Sequence, residues 1–467
     1  MQATSKDQSL QSFIDSKPDL VEHFFNTTTS PHVSGRVVAV PIPAEWSNWR
    51  EEQRAWRETA ILFDQSHHMP EMFLSGPDAQ KLLSRIGVNS LANIAPNKAR
   101  QFVGCNPAGE MIGECILYCH SPTEFELVSG MHFQNWIHYQ AVAGRYDVKL
   151  TRDLATADNP GERIKFRFGI DGPNAEKIFA DVVEGEVPSI PFFNTARVKI
   201  AGCDVLALRH GMAGHKGVEL SGAYRDGPAV VAALLAAGSR HGLRRGGTTA
   251  YFSASAESGW AGYPVPAVYT HEALHPYREW LTAASWETRV QLGGSFRSKR
   301  IEDYYVTPYD MGYDRLVKFD HDFIGRDALE AMSENPRRTG VSLLWNKDDL
   351  GRLFQSNFEP GLGTKALNLP VVHYSFQQYD EVRLNDNLVG LATRTLYSDN
   401  EREIISLAMI DRAYARVGTE VTLIWGEAEG GSRKLNVERH RQTEVRATVA
   451  PKPYASAVRR LKTETLA

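Results

Sequence analysis

The sequence predicts an α+β body followed by a strand-rich C-terminal portion, and three observations carry that prediction. MFLSGPDAQKLLSRI (72–86) is echoed by FGIDGPNAEKIFADV (168–182), each reading as a strand, a Gly-Pro turn and a helix. A helix from about Arg326 to Met332 stops before Asn335-Pro336. Beyond it come GVSLLWN, EVRLNDNLVGLATRTL, IISLAMI, EVTLIWGE and EVRATVA, short strands parted by Gly, Asn and Asp turns, the pattern of a small barrel or sandwich. The expected division is residues 1–335, an α+β portion built from two related halves, and residues 336–467, a barrel-like β domain.

Each echoed helix opens with Asp78 or Asn174 beside a proline and places apolar residues such as Leu82, Leu83 and Ile86 at helical spacing. ECILYCH reads as an apolar strand that turns at Ser121-Pro122 into TEFELVSG, so Cys115 and Cys119 are expected to be structural thiols. RVKIAGCDVLALRH (197–210) reads as a hairpin turning at Ala201-Gly202.

With 467 residues, 42% hydrophobic and 23% charged, the chain has ordinary globular composition and is long enough for two or three domains. A net charge of −4 gives no electrostatic footprint for nucleic acid. The sequence has no apolar run of the ~20 residues that a membrane helix needs, and the polar N-terminus lacks a secretory core. Four cysteines make no disulfide framework, and a reduced, cytoplasmic protein is expected.

His271-Glu272-Ala273-Leu274-His275 matches a zinc pattern by letter, but Pro276 is expected to keep His275 out of the α conformation, and no metal site is assigned. Gly361-Leu362-Gly363 follows a proline instead of a strand and reads as a surface loop.

The residues that carry chemistry fall in four signatures: LFDQSHHM (62–69), RHGMAGHKGVEL (209–220), TAYFSASAESGW (249–260) and KFDHDFIGRDAL (318–329). In Val218-Glu219-Leu220 the apolar residues take one face of a strand and the carboxylate the other. The alternation in Thr249–Ser255 reads as a strand with Tyr251 on its polar face. Adjacent His67 and His68 point to opposite sides if extended, so at most one faces a pocket.

In order and spelling the four signatures resemble the folate-binding aminomethyltransferase superfamily that includes the glycine-cleavage T-protein. Glu257-Ser258-Gly259-Trp260 is similar to its branch of tetrahydrofolate-dependent aryl O-demethylases acting on vanillate and syringate. The resemblance implies a three-domain architecture, with a discontinuous α+β folate-binding portion and a C-terminal β-barrel.

It also implies that tetrahydrofolate accepts the methyl group of a methoxylated aromatic acid. Glu219 would grip the pterin, as a carboxylate can accept two parallel N–H bonds. Tyr251 would stabilise charge on the leaving ether oxygen, for which a phenol of ordinary pKa ~10 is well matched. His68 would face the substrate, Gln65 would lie nearby, and Trp260 would pack on the folate rings.

Two departures concern the substrate carboxylate. A tyrosine of the vanillate-type pattern is replaced by Ala39 or Val40, and an arginine by Gly130. His132, His215 or Arg297 is expected to take over that carboxylate, and smaller residues would admit a second methoxy group. The alternative function is an aminomethyltransferase or an N- or S-demethylating relative. Ser253-Ala254-Ser255, standing where the T-protein has Leu-Arg-Leu, speaks against the first of these.

Overall fold

The computed structural model describes residues 8–26, 32–33, 36–37, 41–262, 264–432 and 434–460. Two sheets and a closed barrel organise the chain. The first sheet has five antiparallel strands in the order Lys98–Cys105, Met111–Ser121, Glu124–Ser129, Glu71–Ser75, Lys149–Asp153. The second has six, in the order Thr195–Ile200, Cys203–Leu208, Gly217–Ala223, Lys165–Asp171, Ala60–Asp64, Leu243–Gly246. Because Ala60–Asp64 precedes the whole first sheet in sequence, the second sheet is discontinuous along the chain.

The two echoed segments each form the expected unit. Glu71–Ser75 leads into the helix Ala79–Ile86, and Lys165–Asp171 into Ala175–Val182. Gly76 and Gly172 turn the chain at φ of 141° and 128°, and a Cβ on Gly172 would come 2.7 Å from the Thr59 carbonyl oxygen. That conformation suits glycine alone. Asp78 and Asn174 sit at the helix starts but cap nothing there with their side chains. Instead Asp78 accepts from the Asp147 N–H at 2.9 Å, and Asn174 donates to the His241 carbonyl at 3.0 Å.

Alternation along the second sheet sorts its faces. Leu62, Phe166, Phe168, Ile170, Val218 and Leu220 pack beneath the helices Ala175–Val182 and Gly227–Gly238. Each such side chain contributes roughly 1.5–3 kcal/mol of burial. Arg167, Gly169 and Glu219 take the opposite face, toward the first sheet. The two hairpins are as expected; Ala201 and Gly202, at φ of 52° and 76°, make the tight turn that matches strand twist.

The strand-rich region closes into a six-stranded barrel in the order Arg338–Trp345, Glu403–Asp411, Asn387–Ser398, Asp380–Leu384, Glu420–Trp425, Thr443–Ala450. Closure removes free edges, and Trp345 against Trp425, 5.2 Å between ring centroids, anchors its core. Among the described residues no helix is long and apolar enough to cross a membrane.

The His271–His275 stretch departs from expectation in its detail. His275 does adopt the α conformation (φ −55°, ψ −46°), since Pro276 falls in the first turn of a new helix, His275–Trp280, where proline is tolerated. It is His271, at ψ 127°, that stands outside the helix, so the two imidazoles do not share one helical turn.

Candidate active site

Tyr251 lies on a short helix, Thr248–Tyr251, and a second one, Ser255–Ser258, follows. The strand expected across Thr249–Ser255 is therefore corrected. Ala250 and Ala254, four apart and both fully buried, are the helical signal that small alternating residues obscured. The helix start is fixed from outside: Pro43 and Ala44 carbonyls accept the Thr248 and Thr249 N–H groups, and Glu52 accepts that of Gly247 at 2.8 Å.

This places the Tyr251 side chain, 7% exposed, edge-on to Phe63 and within 3.0 Å of His68 Nε2 through its hydroxyl. The two histidines lie in a turn instead of the extended backbone considered from the sequence, and they take different partners. His67 bonds Thr156 through Nδ1 at 2.9 Å, away from the tyrosine.

Between the two sheets lies a buried polar group centred on Arg167. Its guanidinium donates to Glu71 at 3.1 Å, Glu126 at 2.9 Å, the Tyr118 hydroxyl at 2.8 Å, and Glu219. Tyr118 in turn donates to Glu219 Oε1 at 2.7 Å. Burial alone would raise the Glu219 carboxyl, but Arg167, His210 and Tyr118 outweigh it and hold the group below the usual range.

The amide of Gln65 lies over the strand that pairs with that of Glu219. It rests over Gly169, where a Cβ would come 3.2 Å from Gln65 Nε2, and Gly169 is the register partner of Glu219. Asp171, at the end of the same strand, accepts the Ala213 N–H at 2.8 Å and is pushed up to about 7 by burial.

The remaining candidates are dispersed. Trp260 donates its indole N–H to Glu114 at 2.8 Å. His215 bonds the fully buried Glu257 at 2.9 Å, in a junction that also gathers Arg57, Ser398 and Asn400. His132 lies tilted at 36° against Trp286, 4.6 Å between ring centroids, and burial lowers its imidazole to about 3. Arg297, 41% exposed, pairs with Glu22 at 3.4 Å and lies over the Phe25 ring. Ala39 lies outside the described residues.

So the structure joins His68 to Tyr251 and sets Gln65 over Gly169, the register partner of Glu219. Arg167, Tyr118 and Glu114 were not singled out from the sequence, and Glu257 entered only through the spelling Glu257-Ser258-Gly259-Trp260. Of the first three, Arg167 alone had a local signal, since Phe166-Arg167-Phe168 turns a charge away from an apolar face.

Comparison with known proteins bears on what this arrangement is. The GCVT N-terminal domain family matches residues 25–274. The chain belongs to this family. One relative within it, syringate O-demethylase of Sphingobium sp., is 43% identical over 453 residues, covering 97% of each chain. Sesamin methylene transferase of Sinomonas sp. is 27% identical over 435 residues, 88% of this chain and 90% of its own.

The solved glycine cleavage system aminomethyltransferase T from Bartonella henselae superposes with a TM-score of 0.60 at 17% identity, covering 90% of this chain and 94% of that one. This establishes the aminomethyltransferase fold, and with it the three-part architecture expected of the family.

Proposed function

We propose that the protein is an O-demethylase transferring the methyl group of a methoxylated aromatic acid to tetrahydrofolate, giving a phenol and 5-methyltetrahydrofolate. Syringate is the first donor to try, with vanillate and methylgallate close behind. The observation that carries the reading is the partly buried His68–Tyr251 hydrogen bond of 3.0 Å, found in a chain 43% identical to a syringate O-demethylase.

The residues present fit a bound folate. Glu219 is a buried acid kept ionised by Arg167, as a partner for the N–H edge of a pterin must be, with Gln65 over Gly169 of the neighbouring strand. Trp260 supplies an aromatic surface. Tetrahydrofolate, when bound there, supplies the N5 nucleophile that takes the methyl carbon.

The chain's own groups serve the leaving side. An aryl methyl ether gives up its methyl group only as negative charge grows on its oxygen, and the Tyr251 hydroxyl donates a hydrogen bond to that oxygen. As the C–O bond breaks, its electron pair stays on the aryl oxygen, and the Tyr251 proton passes to it. His68, with its proton on Nε2, donates to the tyrosine oxygen; this aims the phenolic proton at the ether and stabilises the tyrosinate left behind. The tyrosinate regains a proton from solvent as product leaves, balanced by the proton that the acceptor amine gives up on methylation. Phe63 and Phe252, packed on Tyr251, keep water from competing.

We place the reaction in the portion 1–335, with the barrel-like portion 336–467 buttressing it, in the cytoplasm. Buried free thiols at Cys105, Cys115 and Cys119 suit a reducing compartment. The test is anaerobic incubation with tetrahydrofolate and separate methoxybenzoates, both products read by mass spectrometry. Folate binding without demethylation of any aryl ether would turn the reading toward an amine or sulfonium donor.

A further inference from the structure

The strand Met111–Ser121 lies where the candidate folate residues meet, and its side chains divide by alternation. Cys115, Leu117 and Cys119 enter the apolar core of the first sheet. Glu114, Ile116 and Tyr118 take the other face.

At one end of that face the Tyr118 hydroxyl donates to Glu219 Oε1 at 2.7 Å and accepts from Arg167 at 2.8 Å. At the other, Glu114 accepts the Trp260 indole N–H at 2.8 Å, the Tyr313 hydroxyl at 3.3 Å and the Gln101 amide. Ile116, between them, is half-buried and apolar, whereas Tyr118 is buried. Four residues of strand separate the two ends by about 13 Å. That exceeds a bicyclic pterin and suits a pterin carrying its aminobenzoyl ring.

We propose that Tyr118 and Glu114 are positioning residues that set the two ends of the folate site, Glu219 for the pterin and Trp260 for the aminobenzoyl ring, so that the folate lies lengthwise over Ile116. Tyr118 acts through Glu219: its hydroxyl and Arg167 both occupy Oε1, which fixes the carboxylate plane and directs Oε2, which takes no donor among the described residues, to the pterin. Glu114 acts through Trp260, whose indole it holds by the one polar atom of that ring. The proposal rests on Glu219 as the pterin partner.

The experiment measures binding of tetrahydrofolate and of 6-methyltetrahydropterin, which lacks the aminobenzoyl-glutamate, to wild type, Tyr118→Phe, Glu114→Met, which has no oxygen to accept the indole N–H, and Glu219→Gln. Loss of one hydrogen bond to a charged group corresponds to about tenfold or more in Kd. Tyr118→Phe is expected to weaken both ligands by that factor, and Glu114→Met to weaken tetrahydrofolate while leaving the pterin unchanged. A purely structural role for Glu114 would weaken both alike.

Equal weakening of both ligands by Glu114→Met, no weakening of either, or full pterin affinity in Tyr118→Phe overturns the proposal. Wild-type affinity in Glu219→Gln overturns instead the assignment of Glu219 to folate. Should Glu114→Met fail to fold, Trp260→Phe, which keeps a ring but loses the N–H, must show the same split between ligands, and its absence counts against the proposal.

Discussion

Replacing Glu257 by glutamine breaks the junction behind the catalytic helix, and the structure sets the size of the effect. The fully buried carboxylate accepts four donors: Arg57 at 3.1 Å and His215 at 2.9 Å on Oε2, Ser398 at 3.0 Å and Asn400 at 2.7 Å on Oε1. A glutamine must turn its NH2 toward one pair. Arg57 cannot accept, and the Asn400 amide nitrogen is already held by the Gln53 carbonyl at 2.9 Å, so at least one buried donor loses its partner.

Such a donor costs about 1–3 kcal/mol, and the lost charge opposite Arg57 adds to it, although Glu401 still pairs with that guanidinium. A total of about 3 kcal/mol follows. With an unfolding entropy of about 2.1 cal/mol/K per residue, a chain of 467 residues should lose about 3 °C in Tm.

The pH dependence supplies a second check. Burial would raise the Glu257 carboxyl, but His215 and Arg57 hold it below its ordinary 4.5. Its contribution is therefore complete above pH 4.5 and vanishes as pH falls through the lower folded value. The Tm gap between wild type and Glu257→Gln, read by differential scanning fluorimetry, should be widest at neutral pH and close in acid. The same variant should demethylate more slowly, because the helix Ser255–Ser258 follows Tyr251 directly. An unchanged Tm at pH 7, or a gap that widens in acid, would refute the reasoning.

Other outcomes follow from the same geometry. Asp171, raised from 3.8 to about 7, has the opposite sign: its stabilisation is present below pH 3.8 and is lost as pH rises through about 7, a change of at most about 4 kcal/mol. Asp171→Asn should therefore flatten the decline in urea stability between pH 5 and pH 8. If an imidazole takes the substrate carboxylate, His132→Ala or His215→Ala should raise KM for a methoxybenzoate and spare an uncharged methoxyarene. Arg297→Ala, whose guanidinium is committed to Glu22 and Phe25, should leave KM unchanged. His68→Ala should lower kcat more than tenfold with little effect on tetrahydrofolate binding, read by single-turnover kinetics and titration.

The fold was largely legible because its elements are locally specified. Gly76 and Gly172 need positive φ, the barrel strands alternate between turn residues, and Val218-Glu219-Leu220 parts its carboxylate from its core face. The candidate site was legible only in part. Thr249–Ser255 mixes small polar and apolar residues at period two, so the helical contact of Ala250 and Ala254 passed for a strand.

Arg167 was hidden for another reason. Its partners Glu71, Glu126 and Glu219 stand 96, 41 and 52 positions away, and only the stacking of two sheets brings them together. Glu257 was visible as spelling, but its donors Ser398 and Asn400 come from the barrel, more than 140 positions on.

The central claim is that Tyr251, oriented by His68, assists departure of a phenol as its methyl group passes to folate. The most direct measurement is anaerobic turnover of syringate with tetrahydrofolate by wild type and Tyr251→Phe, with both products quantified. The account predicts equimolar demethylated phenol and 5-methyltetrahydrofolate from wild type, and loss of both in the variant while tetrahydrofolate still binds. Undiminished turnover in Tyr251→Phe, or phenol released without methylated folate, would contradict it.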